Sequence, residues 1–254
     1  MKSKKIISVS SIVLAVLMIA AALSGCSGAS SALKDTKEKA TKVISDYNSK
    51  FNSTQLDFAN KAFAKGENAA KAFKPGLSDA ELEKIAKDNG LTSITVSDAK
   101  GNIVACYPKD AEKGKLKDTK DKVGFTKIAK GITEKMMNDD PPYNAETKTY
   151  AILAGVKRVD ADGAVVVGFD SADYAKVSGI NLADECGDNT VVIKDDKVIS
   201  SNIDGIELDK TLEDIGISKD DLKKESFTFK VGDKSYNAVA TTSGGLTAIC
   251  ASPA

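Results

Sequence analysis

Residues 149–170 constrain the fold more than any other stretch. Thr149, Ala151, Leu153, Gly155 and Lys157 alternate with Tyr150, Ile152, Ala154, Val156 and Arg158. That is the period of two of a strand whose faces differ. Val159-Asp160-Ala161-Asp162-Gly163 supplies a turn, with Gly163 free to take a positive φ. Ala164-Val165-Val166-Val167 is apolar and β-branched, the composition of a central strand buried on both faces. Gly168-Phe169-Asp170 follows and sets a carboxylate where the sheet stops. We read this hairpin as the floor of a ligand pocket and Asp170 as its principal acid. The Asp160–Gly163 segment has the look of a calcium loop, but the twelfth position holds Ser171 instead of an acid, so it reads as a hairpin turn.

The first residues set the compartment. Lys2, Lys4 and Lys5 precede an apolar run from Ile6 to Ala22, and Leu23-Ser24-Gly25-Cys26 follows. This is the layout of a signal peptide over residues 1–25. The run is nearly long enough to span a bilayer, which is the competing reading. The tetrad resembles the lipobox of bacterial lipoproteins, which implies cleavage before Cys26, diacylation of its thiol and an anchor on the extracytoplasmic face of the membrane. Ser27 to Ser31 is a small, polar tether.

Composition excludes several chemistries. The 36 basic and 36 acidic residues become 33 and 36 once the three leader lysines are removed. The chain therefore lacks the concentrated basic face that nucleic acid requires. It has no histidine and no tryptophan, and Arg158 is its only arginine. Histidine-based triads and histidine-ligated zinc or haem are thereby ruled out. No nucleophile, base and orienting group stand together, so we expect no enzyme activity, no cofactor and no metal. Cys106, Cys186 and Cys250 show no metal-ligand spacing and allow at most one disulfide.

The order of elements is regular. Ala40, Ile44, Tyr47, Phe51, Phe58 and Ala62 form a narrow stripe on one long helix from Leu33 to Lys65, interrupted by Gln55 and ended at Gly66. Such a helix can serve as a spine along the globular part or as a dimerisation surface, and the stripe favours the spine. Ser78 and Glu81 predict a capping box for a helix that stops at Asn89-Gly90. A first module has strands at residues 91–97 and 103–107, a charged loop over 109–122, an amphipathic helix from Phe125 through Met136, and the 149–170 hairpin. A second has strands at 190–194 and 197–201, helices at 208–215 and 219–224, and strands at 226–231, 235–242 and 246–252.

This order is the one of PAS-like folds. With the long helix in front it resembles a double-Cache domain, the extracytoplasmic sensor of bacterial chemoreceptors and histidine kinases. The resemblance rests on Leu91–Val104, on Pro142-Tyr143 with the strand after it, on Val165–Asp170 and on Asn237–Pro253. It implies an α+β fold: a long N-terminal helix and following helices (33–89), then two PAS-like modules, each an antiparallel sheet flanked by helices (90–180 and 181–254). In amino-acid-binding members a strand-end Asp receives the ligand amine and a Tyr after a Pro lines the pocket. Those roles fall on Asp170 and Tyr143, with Tyr150 and Phe125 as core or pocket wall. The family's Arg-x-Trp-Tyr motif is absent, and Val123-Gly124-Phe125-Thr126 stands in its place. Arg158 is either a carboxylate clamp or the partner of Asp160 or Asp162. The topology also places the first and last strands of a module side by side, which predicts a Cys186–Cys250 disulfide and a buried thiol at Cys106.

Two functions fit. One is a lipid-anchored sensor that binds a small molecule, bearing an amine or a carboxylate, and relays occupancy to a membrane signalling protein. The other is a ligand-free interaction lipoprotein with a degenerate Cache fold.

Overall fold

The computed structural model describes residues 31–109, 114–116 and 125–254. The signal peptide, Cys26, most of the tether, most of the charged loop and Val123-Gly124 lie outside them. Helix α1 runs from Ser31 to Ala72 and α2 from Asp79 to Asp88. The capping box of α2 forms as expected, with the Glu81 carboxylate accepting from the Ser78 N–H at 2.8 Å. The long helix does not stop at Gly66. A Cβ at that position would stand 3.1 Å from Val156 Cγ1, so the glycine lets helix and sheet approach.

The first sheet contains β1 (Ser93–Ser97), β2 (Ile103–Tyr107), β3 (Lys135–Met137), β4 (Tyr143–Asn144), β5 (Thr149–Lys157) and β6 (Ala164–Ser171). Its order is β2-β1-β6-β5-β3, with β4 also pairing β5. The β5–β6 hairpin forms as the alternation predicts, Ala151 opposite Asp170 and Val156 opposite Val165. The second sheet contains β7 (Thr190–Lys194), β8 (Lys197–Ser201), β9 (Phe227–Val231), β10 (Lys234–Ser243) and β11 (Leu246–Pro253), ordered β8-β7-β11-β10-β9. The β7–β8 turn has Asp195 and Asp196 at φ 50° and 65°, the backbone of a tight hairpin that Asp tolerates.

Three expectations are corrected. The helix from Phe125 ends at Ala129 (α3), because Gly131 turns left-handed at φ 71°, and Met136 belongs to β3. Residues 208–215 form turns instead of a helix, with Gly216 at φ 73° closing them, and only Asp221–Lys223 makes a short 3-10 turn in the next segment. The Cys186–Cys250 bridge is not formed, and both are free thiols. The strand adjacency behind that expectation holds, since β11 pairs β7, but Cys250 registers with Thr190, while Cys186 ends helix α5 (Leu182–Cys186). Burial holds both thiols neutral, raising Cys186 to about 12 and Cys250 to about 11. Cys106 is half-buried on β2 instead of buried.

α1 lies across both sheets. Its first half, through Leu33, Ala40 and Ile44, packs with α5, Val192, Val239 and Cys250 of the second module. Its second half, through Phe58, Ala62, Ala69 and Ala70, packs on Ile94, Ile152, Val165 and Val167 of the first. This is the spine reading of its stripe. The opposite face of the first sheet is covered by Phe125 and Ile128 against Val166 and Ala164. The far face of the second packs Val198, Ile206, Leu212 and Ile217 on Phe229 and Ile249. No helix among the described residues is long and apolar enough to cross a membrane.

Candidate functional site

The broken edge between β3 and β4 shapes the site. Asn138 is buried there and its side chain replaces part of the ladder. Its Oδ1 accepts from the Leu153 N–H at 2.9 Å and its Nδ2 donates to the Ala151 carbonyl at 3.2 Å. Pairing resumes where the Ala151 N–H donates to the Pro142 carbonyl at 2.9 Å. The intervening Asp139-Asp140-Pro141 bulges out of the sheet, since proline cannot donate to a ladder.

That bulge forms the rim of a cleft of about 500 Å³ between the two modules. One wall comes from the first module: Asp139, Asp140, Tyr143, Tyr150, Tyr174 and Ser178. Another comes from the second: Lys194, Val198, Ile199, Leu208 and Asp209. Phe51 and Gln55 of α1 complete it. The tyrosines form a continuous aromatic surface, with Tyr143 and Tyr150 ring centroids 4.9 Å apart and Tyr150 and Tyr174 5.0 Å apart. Tyr150 shares a hydrogen bond of 2.6 Å with Ser178, on helix α4 (Ala175–Ser178). Burial, then the nearby Asp140 carboxylate, raises the Tyr174 phenol to about 12. Lys194 Nζ sits 5.0 Å from the centre of the Phe51 ring.

The structure brings Tyr143 and Tyr150 to this cleft and leaves the other expected residues elsewhere. Asp170 is exposed at the end of β6, opposite Ala151, and two-residue alternation puts it on the sheet face away from Phe169 and α1. It does not cap α4, whose N-cap is Tyr174. Phe125 is fully buried in the core on that far face, where a Cβ on Gly155 would stand 2.6 Å from its ring. Arg158 is buried in a fork with Asp160, at 2.9 and 2.6 Å, and stacks on Phe73, so its fixed charge is spent inside the protein. Sequence reasoning missed Tyr174, Ser178 and the second-module wall. The available signal was Asp139-Asp140-Pro141-Pro142-Tyr143, an acid pair held beside an aromatic by two prolines. Among the described residues no group of three His, Cys, Asp or Glu could hold a metal ion.

Counted within each module, both sheets have the strand order 2-1-5-4-3, with β3 and β4 as one broken edge. Two such sheets on one long helix make a double-Cache fold of the kind used by extracytoplasmic sensors. No protein-family profile and no curated protein sequence matches the chain. Solved structures of similar shape include the ligand-binding domain of the Campylobacter jejuni chemoreceptor Tlp3 with 4-methylisoleucine. It is 14% identical, with 88% of this chain and 93% of that one covered at a TM-score of 0.47. The ligand-binding domain of Mlp24 with asparagine is 15% identical, covering 88% and 96% at 0.46. The domain of the Pseudomonas aeruginosa amino-acid chemoreceptor PctC with GABA is 15% identical, covering 87% and 98% at 0.42. At these identities the likeness is one of fold.

Proposed function

We propose that this protein is an exported, lipid-anchored sensor that binds a small molecule in the cleft between its two modules and passes occupancy to a membrane partner. The observation that carries the reading is that both modules line the cleft. An occupant touching Tyr143 on one side and Leu208 on the other interacts differently with each relative placement of the modules, the condition for a ligand to shift a conformational equilibrium. The Leu23–Cys26 tetrad supports the anchor and the extracytoplasmic location. The test is a thermal-shift screen of neutral, anionic and cationic small molecules, repeated on Tyr143→Ala and Leu208→Trp, one variant from each module. Leu208 is 38% exposed, so tryptophan there fills the cleft without entering the core. A compound that raises the melting temperature of the parent and neither variant supports the reading. A library with no such compound would overturn it in favour of a ligand-free interaction protein.

Asp170 supports a second reading. It is exposed, with no hydrogen bond or ion pair to it among the described residues, and it is proposed to receive a ligand amine on the far face of the first sheet. A compound whose stabilisation disappears in Asp170→Ala but survives Leu208→Trp assigns it there.

A further inference from the structure

We propose that the inter-module cleft selects an organic cation bearing N–H donors, a primary ammonium or a guanidinium, with the Tyr174 hydroxyl as its buried acceptor. This deepens the cleft reading and rests on it. The first observation is an unsatisfied polar group. Tyr174 is 8% exposed and lines the cleft. Its ring is held by Phe58 and Tyr150 at 5.1 and 5.0 Å, and its hydroxyl has no hydrogen-bond partner among the described residues. A buried hydroxyl without a partner is costly, and a cleft is where a ligand supplies one. Tyr150 differs in this respect, because Ser178 satisfies it.

The second observation is charge. Asp139 and Asp140 stand exposed on the rim, and neither forms an ion pair among the described residues. Asp209 adds a third carboxylate from the opposite wall, against the single ammonium of Lys194, which lies over Phe51. The carboxylates act on the tyrosines directly: the Asp140 charge contributes to the raised phenol of both Tyr150 and Tyr174. A cation entering the cleft meets a net negative rim and then the faces of Tyr143 and Tyr150, which attract positive charge through the ring quadrupole. An N–H donor on that cation satisfies the Tyr174 oxygen and the rim carboxylates together. An anion meets the same rim as repulsion, and a neutral ligand gains nothing from it.

The experiment uses the full-length chain as purified from its expression host, with four probes of matched size: n-butylammonium, 1,4-diaminobutane, n-butanol and butyrate. The two cations are expected to raise the melting temperature, and butanol and butyrate to leave it unchanged. Asp139→Asn with Asp140→Asn should weaken cation affinity about tenfold or more, since a charge-assisted bond becomes a neutral one. Tyr174→Phe should weaken it about three- to tenfold while leaving the ligand-free melting temperature equal or higher, because the unsatisfied hydroxyl is gone. Cation binding insensitive to both changes overturns the assignment. Butyrate or butanol binding that Leu208→Trp abolishes overturns the charge class and leaves the cleft intact. Absence of any Leu208→Trp-sensitive compound, here and in the wider screen, sinks the cleft itself.

Discussion

Asp160→Asn should destabilise the protein by leaving a buried guanidinium without its counter-charge. The Arg158 side chain is 7% exposed and makes two bonds to the Asp160 carboxylate. Its remaining partners are the Ser97 carbonyl at 3.3 Å and the Phe73 ring at 5.3 Å. Breaking a fully buried pair costs about 3–5 kcal/mol. Asp160 is 24% exposed, so water screens the pair, and the figure falls to about 2 kcal/mol. With a urea slope of about 2 kcal/mol per molar, the unfolding midpoint drops by about 1 M at unchanged slope. Adding Arg158→Met should recover most of the loss, since the orphaned charge disappears and the thioether lies over Phe73. A midpoint shift below about 0.2 M for Asp160→Asn, or a double variant less stable than the single one, would refute the reasoning. The pH dependence follows in sign. The Arg158 hydrogen bond holds the Asp160 carboxyl below its ordinary 3.8. The stabilisation is therefore whole above that value and is lost as pH falls through the lower folded value, a loss that Asp160→Asn should lack.

Gly155→Ala should cost about 1–3 kcal/mol by overpacking, because the new methyl would stand 2.6 Å from the Phe125 ring and 2.7 Å from Ile128 Cδ1; chemical denaturation measures it. Tyr47→Phe should cost about 1 kcal/mol, since the Tyr47 hydroxyl donates to the Val177 carbonyl and ties α1 to α4; hydrogen exchange at residues 175–179 should rise while that of the second sheet stays unchanged. Under reductant, stability should fall from about pH 9 upward. The buried Cys186 and Cys250 thiols are held neutral to about 12 and 11, so their contribution is whole below the ordinary 9.0 and is lost as pH rises through that window. Replacing both by alanine should flatten the fall, and an unchanged alkaline profile would contradict the assignment.

Most of the architecture was legible because hairpins announce themselves. β2, β7 and β8 fall on the residues that alternation and turn chemistry pick out, and β5 and β6 do so nearly as well. Failures came where one residue type carries two meanings. Gly66 reads as a helix stop yet serves close packing on Val156. Met136 continues the apolar spacing of Phe125 and Ile128, but Gly131 turns the chain before it. Within the site, Tyr143 and Tyr150 were visible through their strand and the preceding prolines. Tyr174, Lys194 and Leu208 were not, because only packing between the modules brings them to one cleft. Phe125 and Arg158 looked like pocket residues because the sequence gives their type and not what already occupies them.

The placement of α1 also orders how the chain can fold. Its first turns rest on strands synthesised far later: the Thr41 hydroxyl meets that of Thr241, 200 residues on, and Asn48 donates to the Ser243 carbonyl. Contacts this distant in sequence close slowly, because the long intervening loop must be ordered first. During export, the half of the helix nearest the membrane therefore crosses without its partners. Its Leu33–Ala40–Ile44 stripe stays uncovered until β10 and β11 arrive. That interval is when a periplasmic or cell-surface holdase would find its binding site, and when aggregation competes with completion of the second module.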